Sequence, residues 1–184
     1  FLETPAWPEA DIGAKNAIET AITSLSSACQ RDRLPDPFNK IIDYHAAVFA
    51  AENSHYYGPF LDNHSELLSE KLRDRLIVSK TTLASEYIAA LNARDKIYHS
   101  LEALLDDYDA VLCLAATGAA PIGFETTGSA IFNGLWTYLG VPCLSLPLLT
   151  TEKMPLGLQL VGKRGDERKL FETANWIENH LKAS

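Results

Sequence analysis

Apolar residues recur at helical spacing along the first half of the chain and then give way to short unbroken runs. Ala14, Ile18, Ala21, Ile22, Leu25 and Cys29 lie on one face for about four turns, and Asp11 stands where a helix N-cap is wanted. This predicts a first helix, followed by a break at Pro35 and Pro37. Phe38, Ile41, Ile42, His45, Val48, Phe49 and Glu52 share the face of a second helix, whose pattern runs out near Tyr57-Gly58-Pro59. From Pro59 to Thr82, Leu61, Leu67, Leu68, Leu72, Leu76 and Ile77 alternate with charges and predict one or two short helices. Leu83, Tyr87, Leu91, Arg94, Tyr98, Leu101 and Leu105 follow steps of three and four, the strongest periodicity in the chain. They predict a long helix that ends before Asp106-Asp107.

Beyond it the runs Ala110-Val111-Leu112-Cys113-Leu114 and Cys143-Leu144-Ser145-Leu146-Pro147 suit buried strands bounded by turn residues, and Leu156 to Val161 is a third candidate. Between the first two lies Thr117 to Gly128, irregular, with glycines at 118, 123 and 128, and long enough to be functional. Gly165-Asp166 opens a last helix with Leu170, Ala174, Ile177 and Leu181 on its apolar face. The expectation is a single α/β unit over 1–184, mainly helical over 1–107, with strands, a long loop and a closing helix over 108–184. About three strands under five or more helices make an incomplete layer arrangement, so further strands are expected from elsewhere in a parent polypeptide or from a second copy.

Composition narrows the function. With 47% hydrophobic and 22% charged residues the chain reads as a globular domain rather than a disordered one. A net charge of −8 is the wrong sign for nucleic acid or anionic lipid. No apolar run approaches the roughly 18 residues that a membrane span needs, and no signal sequence opens the chain, so a cytoplasmic protein is expected. Cys29, Cys113 and Cys143 are odd in number and widely spaced, which points to reduced thiols rather than a disulfide frame or a thiolate zinc site. A start at Phe1 and a single methionine, Met154, read as a fragment or processed product.

Several constellations mimic chemistry. Ser26-Ser27 lacks flanking glycines and any GxSxG or SxxK partner, so ordinary helix residues are expected there. His45, Glu52 and His55 could offer N and O ligands to a metal, but on an apolar face a hydrogen-bonded core histidine is the better reading. His64-Ser65-Glu66 with Pro142-Cys143 resembles a zinc-deaminase pattern whose second cysteine is replaced by Leu146. The spaced glycines match neither GxGxxG nor GxxxxGK[ST]. No catalytic residue, metal ligand or cofactor follows. Phe132 and Trp136 read as core aromatics or as the lining of an apolar pocket.

One resemblance runs along nearly the whole chain. Thr4-Pro5-Ala6-Trp7, Tyr87-Ile88-Ala89-Ala90-Leu91, Tyr108-Asp109-Ala110-Val111-Leu112, then Thr126-Thr127-Gly128, Phe132-Asn133, Trp136-Thr137, Val141-Pro142-Cys143 and Pro155 to Gly162 occur in the order found at the C-terminal end of amidase-signature hydrolases. The resemblance implies the C-terminal part of that fold, with helices on a small mixed sheet. It also implies amide-bond hydrolysis by a serine, a bridging serine and a lysine, carried in lysine and Gly/Ser-rich segments that this sequence does not contain. The chain alone is therefore expected to be inactive. Its expected partners are the N-terminal half of a parent amidase and a small-molecule amide, with Thr126, Thr127, Phe132, Asn133 and Trp136 as candidate substrate contacts. A self-standing, dimeric interaction or scaffold module is the alternative. Two departures from the resemblance stand out: Leu112 to Thr117 lacks the prolines of many relatives, and Ser129-Ala130 replaces a common Asp-Pro.

Overall fold

The computed structural model describes residues 1–182. Helix α1 spans Ile12–Leu25 and is capped as the sequence predicts, the Asp11 carboxylate accepting from the Ala14 N–H at 2.6 Å. It stops short of Cys29 because Ser26 takes a positive φ of 50°. Helix α2, Ile41–Asn63, continues through Pro59, where the sequence pattern suggested an end. A proline inside a helix removes one backbone bond. Here the last turn is held by Asn63, whose side chain donates to the Pro59 carbonyl, and by the His64 N–H, which donates to the Phe60 carbonyl. Helices α3, Glu70–Ser79, and α4, Ala84–Leu104, follow, the latter closing its first turn with the Glu86 carboxylate on the Leu83 N–H.

Strands β1, Val111–Leu114, β2, Cys143–Thr151, and β3, Met154–Val161, form one sheet in the order β1-β3-β2. Both pairings are antiparallel, so the expected mixed character appears only outside the named strands, in an isolated parallel bridge between Leu2 and Asp32. Central β3 is buried from Leu158 to Val161, as is all of β1, whereas β2 is a half-exposed edge strand, not the buried one its apolar run predicted. Pro147 and a register shift between Leu146 and Leu149 suit an edge.

The register sorts side chains by face. Leu112, Leu160 and Leu144 stand opposite one another, as do Leu114, Leu158 and Leu146, and the alternate positions place Cys113, Gln159 and Ser145 in one row on the other face. Helices α1 and α6, Glu167–Lys182, pack on the sheet and on each other.

Helix α5, Ile131–Leu139, meets the face that carries Gln159 and is backed by α2 and α4. The sequence did not announce α5, because it is only nine residues long and has Gly134 at its centre. That glycine is needed: a Cβ there would lie 2.7 Å from the His45 ring of α2. Gly140 ends the helix in the left-handed region, at φ 61°. Tyr138 fixes its position by donating to the Ala90 carbonyl of α4 and stacking on Tyr44 of α2. Arg164, after β3, reaches the Leu139 carbonyl and lies 3.8 Å from the Tyr98 ring.

Candidate functional site

The five residues singled out from the sequence divide into three settings. Phe132 and Trp136 are 0% and 1% exposed and belong to the packed core on which α5 rests. Asn133, about 100° around the helix from Phe132, is exposed. Thr126 and Thr127 lie in an exposed loop, where Thr126 Oγ1 accepts from the Gly128 N–H at 3.1 Å and shapes the turn. That loop also carries Ile122 and Phe124, both fully exposed.

Asn133 meets a strip of polar groups on the sheet. Its Nδ2 donates to the Ala115 carbonyl at 3.1 Å, and its Oδ1 accepts from Gln159 Nε2 at 2.7 Å. Gln159 Oε1 in turn accepts from the Cys113 thiol at 3.3 Å. Burial pushes the Cys113 thiol well above the usual range, an effect only partly offset by Trp136, so the sulfur stays protonated and acts as a donor. Cys143, at the start of β2, is raised by burial to about 12. Neither thiol is a nucleophile at neutral pH.

Next to this strip Gly157 leaves room for its neighbours. A Cβ there would overlap Ser145 Oγ and come within 2.8 Å of Ala115 Cβ. Gly157 is thus where Ser145, an exposed residue, and Ala115, whose carbonyl accepts from Asn133, close over the strand. The arrangement offers hydrogen-bond donors to a neutral polar ligand. It contains no base beside a hydroxyl.

The remaining sequence candidates lie elsewhere. Ser26 and Ser27 are exposed at the end of α1. His45 sits over Gly134 and stacks on Phe49 at 5.8 Å, and burial lowers its pKa. His64 and Glu66 follow α2, far along the chain from Cys143 on the sheet. Among the described residues no three His, Cys, Asp or Glu side chains gather as metal ligands would. A separate cleft of about 620 Å³ lies at the other edge of the sheet, lined by Phe1, Cys29, Tyr108, Val111, Lys169 and Trp176 among others.

Sequence reasoning missed Gln159 and Ser145. Spacing could not find them, since the sheet register brings Cys113 and Gln159 together across 46 residues. The available signal was a lone amide inside Leu158-Gln159-Leu160.

No family model matches the chain. It is 30% identical over 145 residues to the A subunit of the glutamyl-tRNA(Gln) amidotransferase of a Nitratiruptor species, covering 73% of this chain and 33% of that protein. It is 28% identical over 138 residues to the corresponding protein of Alkaliphilus metalliredigens, covering 66% and 27%. The chain thus spans a third or less of these relatives' length. A crystal structure of an amidase superposes with a TM-score of 0.84 at 23% identity, over 96% of this chain and 44% of that one. A bacterial aryl acylamidase of the amidase signature enzymes family gives 0.66 at 13% identity, over 94% and 42%.

Proposed function

The chain belongs to the amidase-signature family, as a C-terminal portion, and on that premise we propose that it supplies the scaffold and part of the substrate-side wall of an amide-bond hydrolase. The observation that carries this reading is the polar strip formed by Asn133, Gln159 and Ser145, of which Asn133 and Ser145 are exposed. An amide ligand needs donors for its carbonyl and acceptors for its N–H, and the exposed Asn133 and Ser145 side chains offer both. Asn133, Thr126 and Thr127 face the substrate, and Phe132 and Trp136 support them from within. The serine pair and lysine that cleave the bond, and most of the oxyanion donors, belong to the N-terminal half of the enzyme. Without a nucleophile the chain by itself turns over no amide.

The fully exposed Ile122 and Phe124, the half-exposed β2 and the cleft beside Phe1 are the surfaces that the N-terminal half covers. The unpaired thiols suit a reducing compartment such as the cytoplasm. Among the described residues no helix is long and apolar enough to cross a membrane.

The test is an assay of the purified chain against aryl and aliphatic amides, beside sequencing of the gene upstream of the Phe1 codon. The reading expects no hydrolysis, and an upstream reading frame that encodes a lysine segment and a Gly/Ser-rich segment. Hydrolysis that disappears in His45→Ala would overturn it. A reading frame that starts at Phe1 would instead favour a self-standing interaction module, for which the exposed Phe49, Tyr56 and Phe60 on one face of α2 provide an adhesive surface.

A further inference from the structure

Gln159 is a carboxamide with 4% exposure between two leucines that are fully buried. Such a group costs free energy unless its hydrogen bonds are made, and its two bonds are directional. The direction is set from one end by the Ala115 carbonyl, which can only accept. Asn133 must therefore turn its NH₂ toward Ala115, as the 3.1 Å contact has it, and its Oδ1 toward Gln159. Gln159 must then present Nε2 to Asn133, at 2.7 Å, leaving Oε1 for the Cys113 thiol at 3.3 Å. Reversing any one amide would set two oxygens or two NH₂ groups face to face.

The relay has one loose end. Asn133 Nδ2 has two hydrogens, of which one goes to Ala115 and the other has no partner among the described residues. Asn133 is exposed, as is Ser145 on the neighbouring strand. We propose that Gln159, locked by Cys113, is a positioning residue that holds the free N–H of Asn133 outward as a donor for a carbonyl oxygen of the ligand. The proposal deepens the amidase reading and rests on it for the nature of the ligand, a neutral carboxamide. The orientation of Asn133 itself depends on the chain's own groups alone.

The experiment is ¹⁵N NMR of the full chain, following the Asn133 side-chain amide with propionamide as the probe. In the native chain the two Asn133 hydrogens give separate signals, the one bonded to Ala115 being the more protected, and propionamide shifts the other. Gln159→Glu, followed at a pH high enough to ionise the buried side chain, replaces the donor by a carboxylate that only accepts. Asn133 should then turn over, protection of the Ala115-bonded hydrogen should fall by roughly tenfold, and the propionamide shift should vanish. Cys113→Val, which leaves Oε1 without a donor, should loosen the same signals if the glutamate variant does not fold, and Cys113→Ser, which keeps a donor, should restore them. Unchanged Asn133 signals in both Gln159→Glu and Cys113→Val would overturn the positioning role, whatever propionamide does. Signals that respond to the variants but not to propionamide would uphold the positioning role and count against the amide reading alone.

Discussion

At the scale of single residues, Gly134 and His45 form the contact most open to measurement. Glycine in mid-helix is unfavourable by about 1 kcal/mol relative to alanine, so Gly134→Ala would be stabilising on propensity alone. The new Cβ, however, would stand 2.7 Å from two atoms of the imidazole, a ring that also stacks on Phe49 and would have to shift. Gly134→Ala is expected to destabilise by about 1–2 kcal/mol in urea unfolding. The double variant with His45→Ala should lose less than the two single losses added together. His45 also gives stability a pH dependence. Its folded pKa lies below the ordinary value of about 6.5, so in the window beneath that value the unfolded chain binds more protons. Stability is therefore complete above the unfolded pKa and declines as pH falls toward the folded one. In thermal melts between pH 7.5 and 5.5, the slope should be smaller for His45→Gln than for the native chain.

At the scale of elements, the β2–β3 hairpin carries visible strain. Glu152 and Lys153 connect the strands with φ of 52° and 64°, a turn that favours Asn-Gly because side chains crowd the left-handed region. Replacing them by Asn and Gly should raise stability by about 1 kcal/mol and leave the near-UV spectrum unchanged. No residue in the sequence hints at this turn, whereas other elements were plain. Long α4 was legible because its seven periodic positions outweigh any local signal. Helix α5 was hidden by Gly134, whose purpose is a contact with a helix far earlier in the chain. Pro59 read as a stop because only the structure shows Asn63 meeting the Pro59 carbonyl. The candidate site divides the same way. Asn133 could be reached from its motif, while Gln159 and Ser145 join it only through strand register, and the neighbouring Phe132 and Trp136 are buried in the core.

At the scale of the molecule, stability should be distributed unevenly. Strand β3 is paired on both sides and β1 is buried throughout, with Leu2 donating to the Leu112 carbonyl at its outer side. The second edge belongs to β2, which is half exposed and interrupted at Pro147. Residues 121–130 are exposed without exception. Amides of β3 and β1 should open only with global unfolding, those of β2 by smaller fluctuations, and those of the loop almost freely. Hydrogen exchange followed by mass spectrometry should give that order. Equal protection of β2 and β3 would mean that something covers the edge, and in a purified sample the only candidate is a second copy of the chain. Light scattering after size exclusion would then report a dimer whose β2 protection falls on dilution. The expected result is a monomer in which β2 exchanges well ahead of β3, because its outer edge has no strand beside it.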